Sequence, residues 1–498
     1  MTIRRRTLAQ AAAAAAAAAW LPGAQAQRRK DSVVLGMVLE PTSLDPTTAP
    51  SASIGEIVHY NILEGLTRIN QAGAVFPLLA RDWSSDPDGK SYTFKLREDV
   101  KFQDGTVFDS AAVKFTFERA KAPGSTNKGK TQLWDNISSI ATPAPDLVIL
   151  TLNNPDGTLP FRLAENTAVI LSPKSADSTA TNPVGTGPYK FENWQKGSAV
   201  TLVKWDGYRK PDLINIKRAT FRFINDPAAQ VAALLAGDID GFPRFSALQS
   251  LKQFQGDKRF AVEIGSTAGK GLLALNNKRK PFDDVRVRRA ISHAIDRQAF
   301  INGVLEGLGK PIGSHSAPTD VGYLDLTGLY PYSVEKARTL LTAAGITSPI
   351  NVTLTLPPPD YARRGGEVVA AMLAKVGINC KIENVEWAQW LSGPFRGQFD
   401  MTIINHVEPL DYVQYANPNY YWGYQSKAFN DLVKARAEAN RGPLQVRLYQ
   451  EIQRQLANDA VNAWIFNPAQ VSVAKRGLKG LWSSSPIFAN DLFQLNWT

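Results

Sequence analysis

Between residues 351 and 405 the chain alternates β-branched runs with amphipathic stretches, and that alternation restricts the fold more than any other feature. It reads as strand 351–356, helix 362–376, strand 378–385, helix 386–391 and strand 399–405. Strands joined through helices pair in parallel by right-handed crossovers, so an open α/β sheet is expected here. Ligands on such sheets bind outside the carboxyl ends of the strands. The loop after Ile404-Asn405 is therefore the first place to look for a site.

Local signals elsewhere are of the same kind. Residues 32–37 read as the first strand, followed by a proline-bounded loop from Glu40 to Pro46. Tyr92, Phe94 and Leu96 alternate with polar residues, as in a strand with one buried face. Pro87-Asp88-Gly89 and Asp104-Gly105 supply the flanking turns. Val113 and Phe117 repeat at helical spacing behind an Asp109 or Ser110 cap. A helix over 228–236 turns Val231, Leu234 and Leu235 inward and stops at Gly237. Asp284, Asp296 and Ser333 cap three more, and 430–440 and 444–456 are further helices. The tail to Thr498 is aromatic and extended. Gly185-Thr186-Gly187 has the look of a phosphate loop, but Pro188 blocks a following helix and removes an amide donor, so it reads as a structural turn.

A length of 498 residues allows two to four domains and a large core. With 44% hydrophobic and 20% charged residues, the composition is that of a soluble globular protein. The net charge of +11 is not gathered into a basic run interleaved with aromatics, which argues for a solvated surface and against a nucleic-acid partner. At the N-terminus three arginines precede an alanine-dominated apolar run, and Ala24-Gln25-Ala26 fits a signal-peptidase site, so residues 1–26 read as a signal peptide. Arg5-Arg6-Thr7-Leu8 resembles a twin-arginine signal, and a Sec signal with extra arginines fits the same residues. Cys380 is the only cysteine, so neither an intramolecular disulfide nor a lipid anchor is available. A free periplasmic protein is the expectation.

Motifs of enzymes are missing. The sequence holds no Gly-x-Ser-x-Gly elbow and no His-Glu-x-x-His pair, and the Gly265–Gly271 stretch lacks the spacing of a nucleotide loop. A secreted hydrolase built on two convergent carboxylates is the alternative from a different class.

The stretch from Phe76 to Arg119, with Phe-Pro-Leu-Leu-Ala-Arg-Asp-Trp, the turn to Lys90 and Ser-Tyr-Thr-Phe-Lys-Leu-Arg, resembles family 5 of the extracytoplasmic solute-binding proteins. Four further segments in the same order resemble that family: Asn182 to Tyr189, Ala233 to Asp240, Pro281 to Ala290 and Glu335 to Gly345. The resemblance implies an α/β, two-lobed periplasmic-binding-protein fold, type II-like, with an inserted subdomain and a hinge between lobes. It implies a first lobe from 31–68, 182–268 and 476–498, an insert at 69–181 and a second lobe at 269–475. The implied role is the receptor of an ABC importer. It captures a short peptide or peptide-like solute and delivers it to an inner-membrane permease with cytoplasmic ATPases. It acts as a monomer, with no cofactor, no resident metal and no catalytic residue. A nickel-chelate, an oligosaccharide and an opine are the alternative solutes.

In peptide-binding relatives an acid just past the Phe-Asp-Met strand pairs with the peptide's amino group. Asp411 best matches it and Glu408 is second. Arg363 or Arg364, after Pro357-Pro358-Pro359, is positioned to clamp a carboxylate. Trp387 and Trp390, and Tyr415, Tyr420, Tyr421 and Trp422, are candidate apolar walls. His406 is a candidate ligand contact that also suits a chelated metal or a pH sensor. Glu40 and Leu44, in the first loop, complete the expected site.

Overall fold

The computed structural model describes residues 31–49, 51–439 and 442–498. The signal peptide expected at 1–26 lies outside the described residues. A mixed 12-stranded sheet organises the molecule. In chain order its strands are β1 (Ser32–Met37), β2 (Tyr189–Gln195), β3 (Ala199–Lys204), β4 (Arg218–Phe223), β5 (Gly241–Phe242) and β6 (Phe260–Ser266). They continue as β7 (Lys270–Leu275), β8 (Gly309–Pro311), β9 (Ile350–Leu356), β10 (Ile378–Asn384), β11 (Met401–His406) and β12 (Ala463–Lys475). The spatial order is β10-β9-β11-β7-β12-β5-β1-β4-β3-β2, with β6 and β8 also paired to β12.

The expected alternation is present as β9, helix Asp360–Ala374, β10, helix Trp387–Ser392 and β11, with β9 parallel to both β10 and β11. Strand β7 lies at the middle of this half, and all six of its residues are buried. Leu273 and Leu275 enter one core with helices Val285–Ala294 and Asp360–Ala374, while Leu272 and Ala274 enter an aromatic core on the other face. The first lobe is built on β1 and β4, whose Val33, Leu35, Ala219 and Phe221 share a core with Val58 and Leu63. An additional layer of four antiparallel strands, Ala80–Ser85, Ser91–Leu96, Leu147–Leu152 and Ile137–Ala144, has its own core around Phe94, Phe117 and Trp134.

Strand β12 belongs to both lobes. Ala463, Ile465 and Phe466 pack in the β7 core, whereas Val471 and Val473 pack with Phe242, Phe245 and Phe260. The crossing points are therefore the middle of β12 and the 267–269 link between β6 and β7.

Capping follows the sequence closely. Asp109, Asp284, Asp296 and Ser333 each accept backbone N–H bonds at the start of their helices. In helix Pro227–Ala236, Leu234 is buried and Val231 and Leu235, half-buried, pack against the same core, as expected, and Gln230 is buried beside them. The Gln230 amide donates to Ile224 O (3.0 Å) and Ser246 Oγ (2.8 Å), which adds a polar contact to that inward face. The Gly185–Gly187 turn is structural. A Cβ on Gly185 would stand 2.0 Å from Ile62 O, and Thr186 Oγ1 donates to Glu64 Oε2 at 2.9 Å.

Candidate functional site

A cavity of about 410 Å³ lies where the two crossing segments, the loop after β11 and the added layer converge. The rule about strand ends accounts for much of its wall. Val38 follows β1, Arg244 follows β5, Thr267 follows β6, and Asn405, Val407, Glu408 and Pro409 end or follow β11. Pro468 to Val471 of β12 form the floor.

Its charged lining is Lys128, Glu165, Arg244 and Glu408. Arg244 Nη1 lies 3.2 Å from Glu56 Oε1, and its Nη2 donates to Ser485 Oγ at 2.9 Å. Burial pushes the Glu56 carboxyl up and Arg244 opposes that shift. Lys128 Nζ stands 3.5 Å from Glu408 Oε1, joining the added layer to the second lobe through an exposed, weak pair. Glu165 differs. Burial pushes its carboxyl up to about 7, against the pull of Arg162 and Lys128 and with the help of Glu408. His59 is completely buried, its two ring nitrogens have no hydrogen-bond partner among the described residues, and burial holds it neutral by lowering its pKa to about 3.

Beneath the 407–410 loop is a buried polar cluster. Asp411 Oδ1 receives Lys270 Nζ at 2.8 Å and His315 Nε2 at 2.9 Å, and His406 Nδ1 lies 3.1 Å from Oδ2. Lys270 Nζ also donates to Glu408 O at 2.7 Å, which fixes the loop that faces the cavity. Tyr415 OH donates to His315 Nδ1 (3.0 Å) and itself accepts from Asn462 Nδ2 (2.8 Å). Tyr421 OH donates to His406 Nε2 at 2.8 Å. Burial pushes the Asp411 carboxyl up, but His315 and Lys270 outweigh it and hold the group well below the usual carboxylate range. Burial likewise lowers His315 to about 4, so it serves as a neutral donor. His315, His406 and Asp411 have the residue types of a metal site. The Lys270 ammonium already occupies Oδ1 of the carboxylate, and tyrosines engage both second ring nitrogens, so the cluster already holds an internal cation.

These positions separate the expected site residues. Of them, Glu408 alone lines the main cavity. Asp411 is buried with its Oδ1 engaged by Lys270 and His315 and its Oδ2 3.1 Å from His406 Nδ1, and His406, Tyr415 and Tyr421 are buried in the same cluster. Trp390 is core, donating from Nε1 to Thr402 Oγ1 at 3.0 Å, while Trp387 is exposed on the same helix. Arg363 donates to Glu386 Oε1 (2.9 Å) and Arg364 to Gly303 O (3.0 Å) on the outer surface. Glu40 Oε1 accepts from Trp194 Nε1 and Gly197 N, both at 2.9 Å, and Leu44 is fully buried. The sequence reading missed Lys128, Glu165 and Arg244. Only Arg244 had a usable signal, its place just after a strand.

A second cavity of about 370 Å³ adjoins the first, sharing Pro409 and Pro486. It lies between the added layer and the second lobe. Those parts are in contact beside it: Gly157 N donates to Ala437 O at 2.8 Å, and Gln445 Nε2 donates to Gly157 O at 2.6 Å.

Residues 74–434 match the model of the bacterial extracellular solute-binding proteins, family 5. The Di/tripeptide-binding protein 1 of Pseudomonas aeruginosa (strain UCBPP-PA14) is 28% identical over 437 residues, 80% of each chain. The Glutathione-binding protein GsiB of Escherichia coli (strain K12) is 29% identical over 354 residues, 70% of this chain and 68% of its own. Among solved structures, the PBP AgaA in complex with agropinic acid, from A. tumefaciens R10, superposes with a TM-score of 0.75 at 28% identity. That superposition covers 94% of this chain and 99% of AgaA.

Proposed function

Because the chain belongs to the family 5 bacterial extracellular solute-binding proteins, we propose that it captures a short peptide or peptide-like solute between its lobes. It hands that solute to an ABC permease without altering it. The observation that carries this reading is the pair of acids that two different parts of the molecule contribute to the main cavity. Glu165 comes from the added layer and Glu408 from the second lobe. Glu165 is desolvated and has a raised pKa, so an incoming ammonium gains a carboxylate in a low-dielectric setting. Lys128 occupies the Glu408 side weakly and is displaced by the ligand's own ammonium. Asp411 instead supports the loop through Lys270. We place the first lobe at 31–68, 182–268 and from mid-β12 through 476–498, and the second from 269 to mid-β12 rather than to 475, with the insert at 69–181 and the hinge where 267–269 and mid-β12 cross.

An opine is the second reading, favoured by the likeness to AgaA with its agropinic acid. Thermal shift of the mature protein with tri-alanine, glutathione and their N-acetylated forms tests the ammonium contact. Stabilisation by the free amines that N-acetylation abolishes, with the solute recovered intact, is expected. Equal stabilisation by the acetylated forms, or cleavage of either peptide, overturns the reading.

A further inference from the structure

We propose that the second cavity is a carboxylate-binding compartment built on Arg436, taking the apolar, carboxylate-bearing end of the solute. The assignment of that end to the same ligand rests on the function proposed above; the anion site itself does not.

Arg436 stands in the last turn of helix Lys427–Glu438 and is only 6% exposed. Its guanidinium lies 4.2 Å from the ring centre of Tyr449 and 4.8 Å from that of Tyr412. Nε and Nη1 have no hydrogen-bond partner among the described residues. The other cations at the two cavities are neutralised: Lys128 by Glu408, Arg244 by Glu56 and, below the loop, Lys270 by Asp411. Asp320, which also lines the second cavity, is engaged elsewhere. Its Oδ2 accepts from Ser316 Oγ (3.0 Å), Ala317 N (2.9 Å) and Tyr449 OH (2.7 Å). Arg436 is thus a buried cation with aromatic faces beside it and no anion at its edge. A buried charge left in that state is unfavourable until a counter-ion arrives. Stacking on aromatic rings engages a guanidinium's faces and leaves its in-plane N–H groups for a carboxylate.

The surroundings define the rest of the ligand group. Val75, Trp83 and Phe161 of the added layer face Leu410 and Val446 of the second lobe across the cavity. An anion with an apolar body fits this wall, whereas a hydrated inorganic ion does not. Since the compartment is closed by both parts, its occupant ties the added layer to the second lobe beside the Gly157–Ala437 and Gly157–Gln445 bonds.

The test uses the mature full-length protein, with 3-phenylpropanoate as the probe and 3-phenylpropanamide as its neutral counterpart. Both are titrated by ligand-observed NMR. The carboxylate binds saturably, and the amide at least roughly tenfold more weakly. Arg436→Gln lowers the carboxylate's affinity at least roughly tenfold, and Arg363→Gln, on the outer surface, leaves it within about twofold. If Arg436→Gln does not fold, Val446→Trp decides, since it fills the cavity while keeping the Arg436 side chain and abolishes binding. No saturable binding below about 20 mM, equal binding of the amide, or insensitivity to these cavity substitutions overturns the proposal. Peptide binding, measured separately, reports on the function proposed above, so either can fail alone.

Discussion

Lys270 and Asp411 are both almost completely buried, and removing either charge strands the other in a low-dielectric interior. Asp411→Asn is therefore expected to lower unfolding stability by about 3 kcal/mol, read from urea denaturation. An unchanged midpoint would show that the pair is dispensable. Glu165 gives a pH prediction of definite sign. Its carboxyl is raised from 4.5 to about 7 by burial. The folded empty protein thus holds a proton that the unfolded chain has released, and stability falls as pH climbs through that interval. An ammonium beside Glu165 favours the ionised form, so binding of an amine-bearing solute releases protons and tightens as pH rises towards 7. Calorimetry in buffers of different ionisation heat should show that release, and Glu165→Gln should remove it. At this scale the sequence was least informative. Asp411 reads as the better match and Glu408 as the second, and only the arrival of Lys270 and His315 from distant segments buries the first in ion pairs and leaves the second facing the cavity. Glu165 sits in no motif at all; its role comes from desolvation, which is a property of the folded neighbourhood.

Among elements, the legible features are those set by local chemistry. The β9–β11 alternation, the Asp and Ser caps and the Gly237 stop each follow from periodicity or side-chain-to-backbone bonding within a few residues. Arrangements that depend on long-range pairing were not legible. Strand β12 reads as an extended tail, yet its thirteen residues pair with β5, β6, β7 and β8 and pass from one lobe's core into the other. Likewise the burial of Gln230 in helix Pro227–Ala236 depends on its bonding to Ser246, across a loop. The Gly185 turn, by contrast, was readable as structural, and its geometry makes a strong demand. Gly185→Ala forces a methyl group against the Ile62 carbonyl, and a loss of about 2–4 kcal/mol is expected. A melting temperature within a degree or so of the parent's would contradict that packing.

At the scale of the whole molecule, the parts meet across a cleft and hold both cavities between them. The bridging bonds are few: Gly157 to Ala437 and Gln445, and Lys128 to Glu408. Few contacts make closure sensitive to what fills the cleft, as a receptor requires. Gln445→Ala should speed solute release several-fold while leaving the fold intact, measured by stopped-flow tryptophan fluorescence. An unchanged rate would place the gate elsewhere. The chain's family was legible from five ordered signatures, but its solute was not, because those signatures shape the scaffold and the cavity wall is assembled from separate strand ends. The most direct test of the central claim is equilibrium dialysis of the mature protein against a mixture of di- and tripeptides, opines, oligosaccharides and a nickel–histidine chelate. Mass spectrometry then identifies what is retained. The account predicts one amine- and carboxylate-bearing solute held intact, one per chain. Retention of nothing, or recovery of cleavage products only, would contradict it.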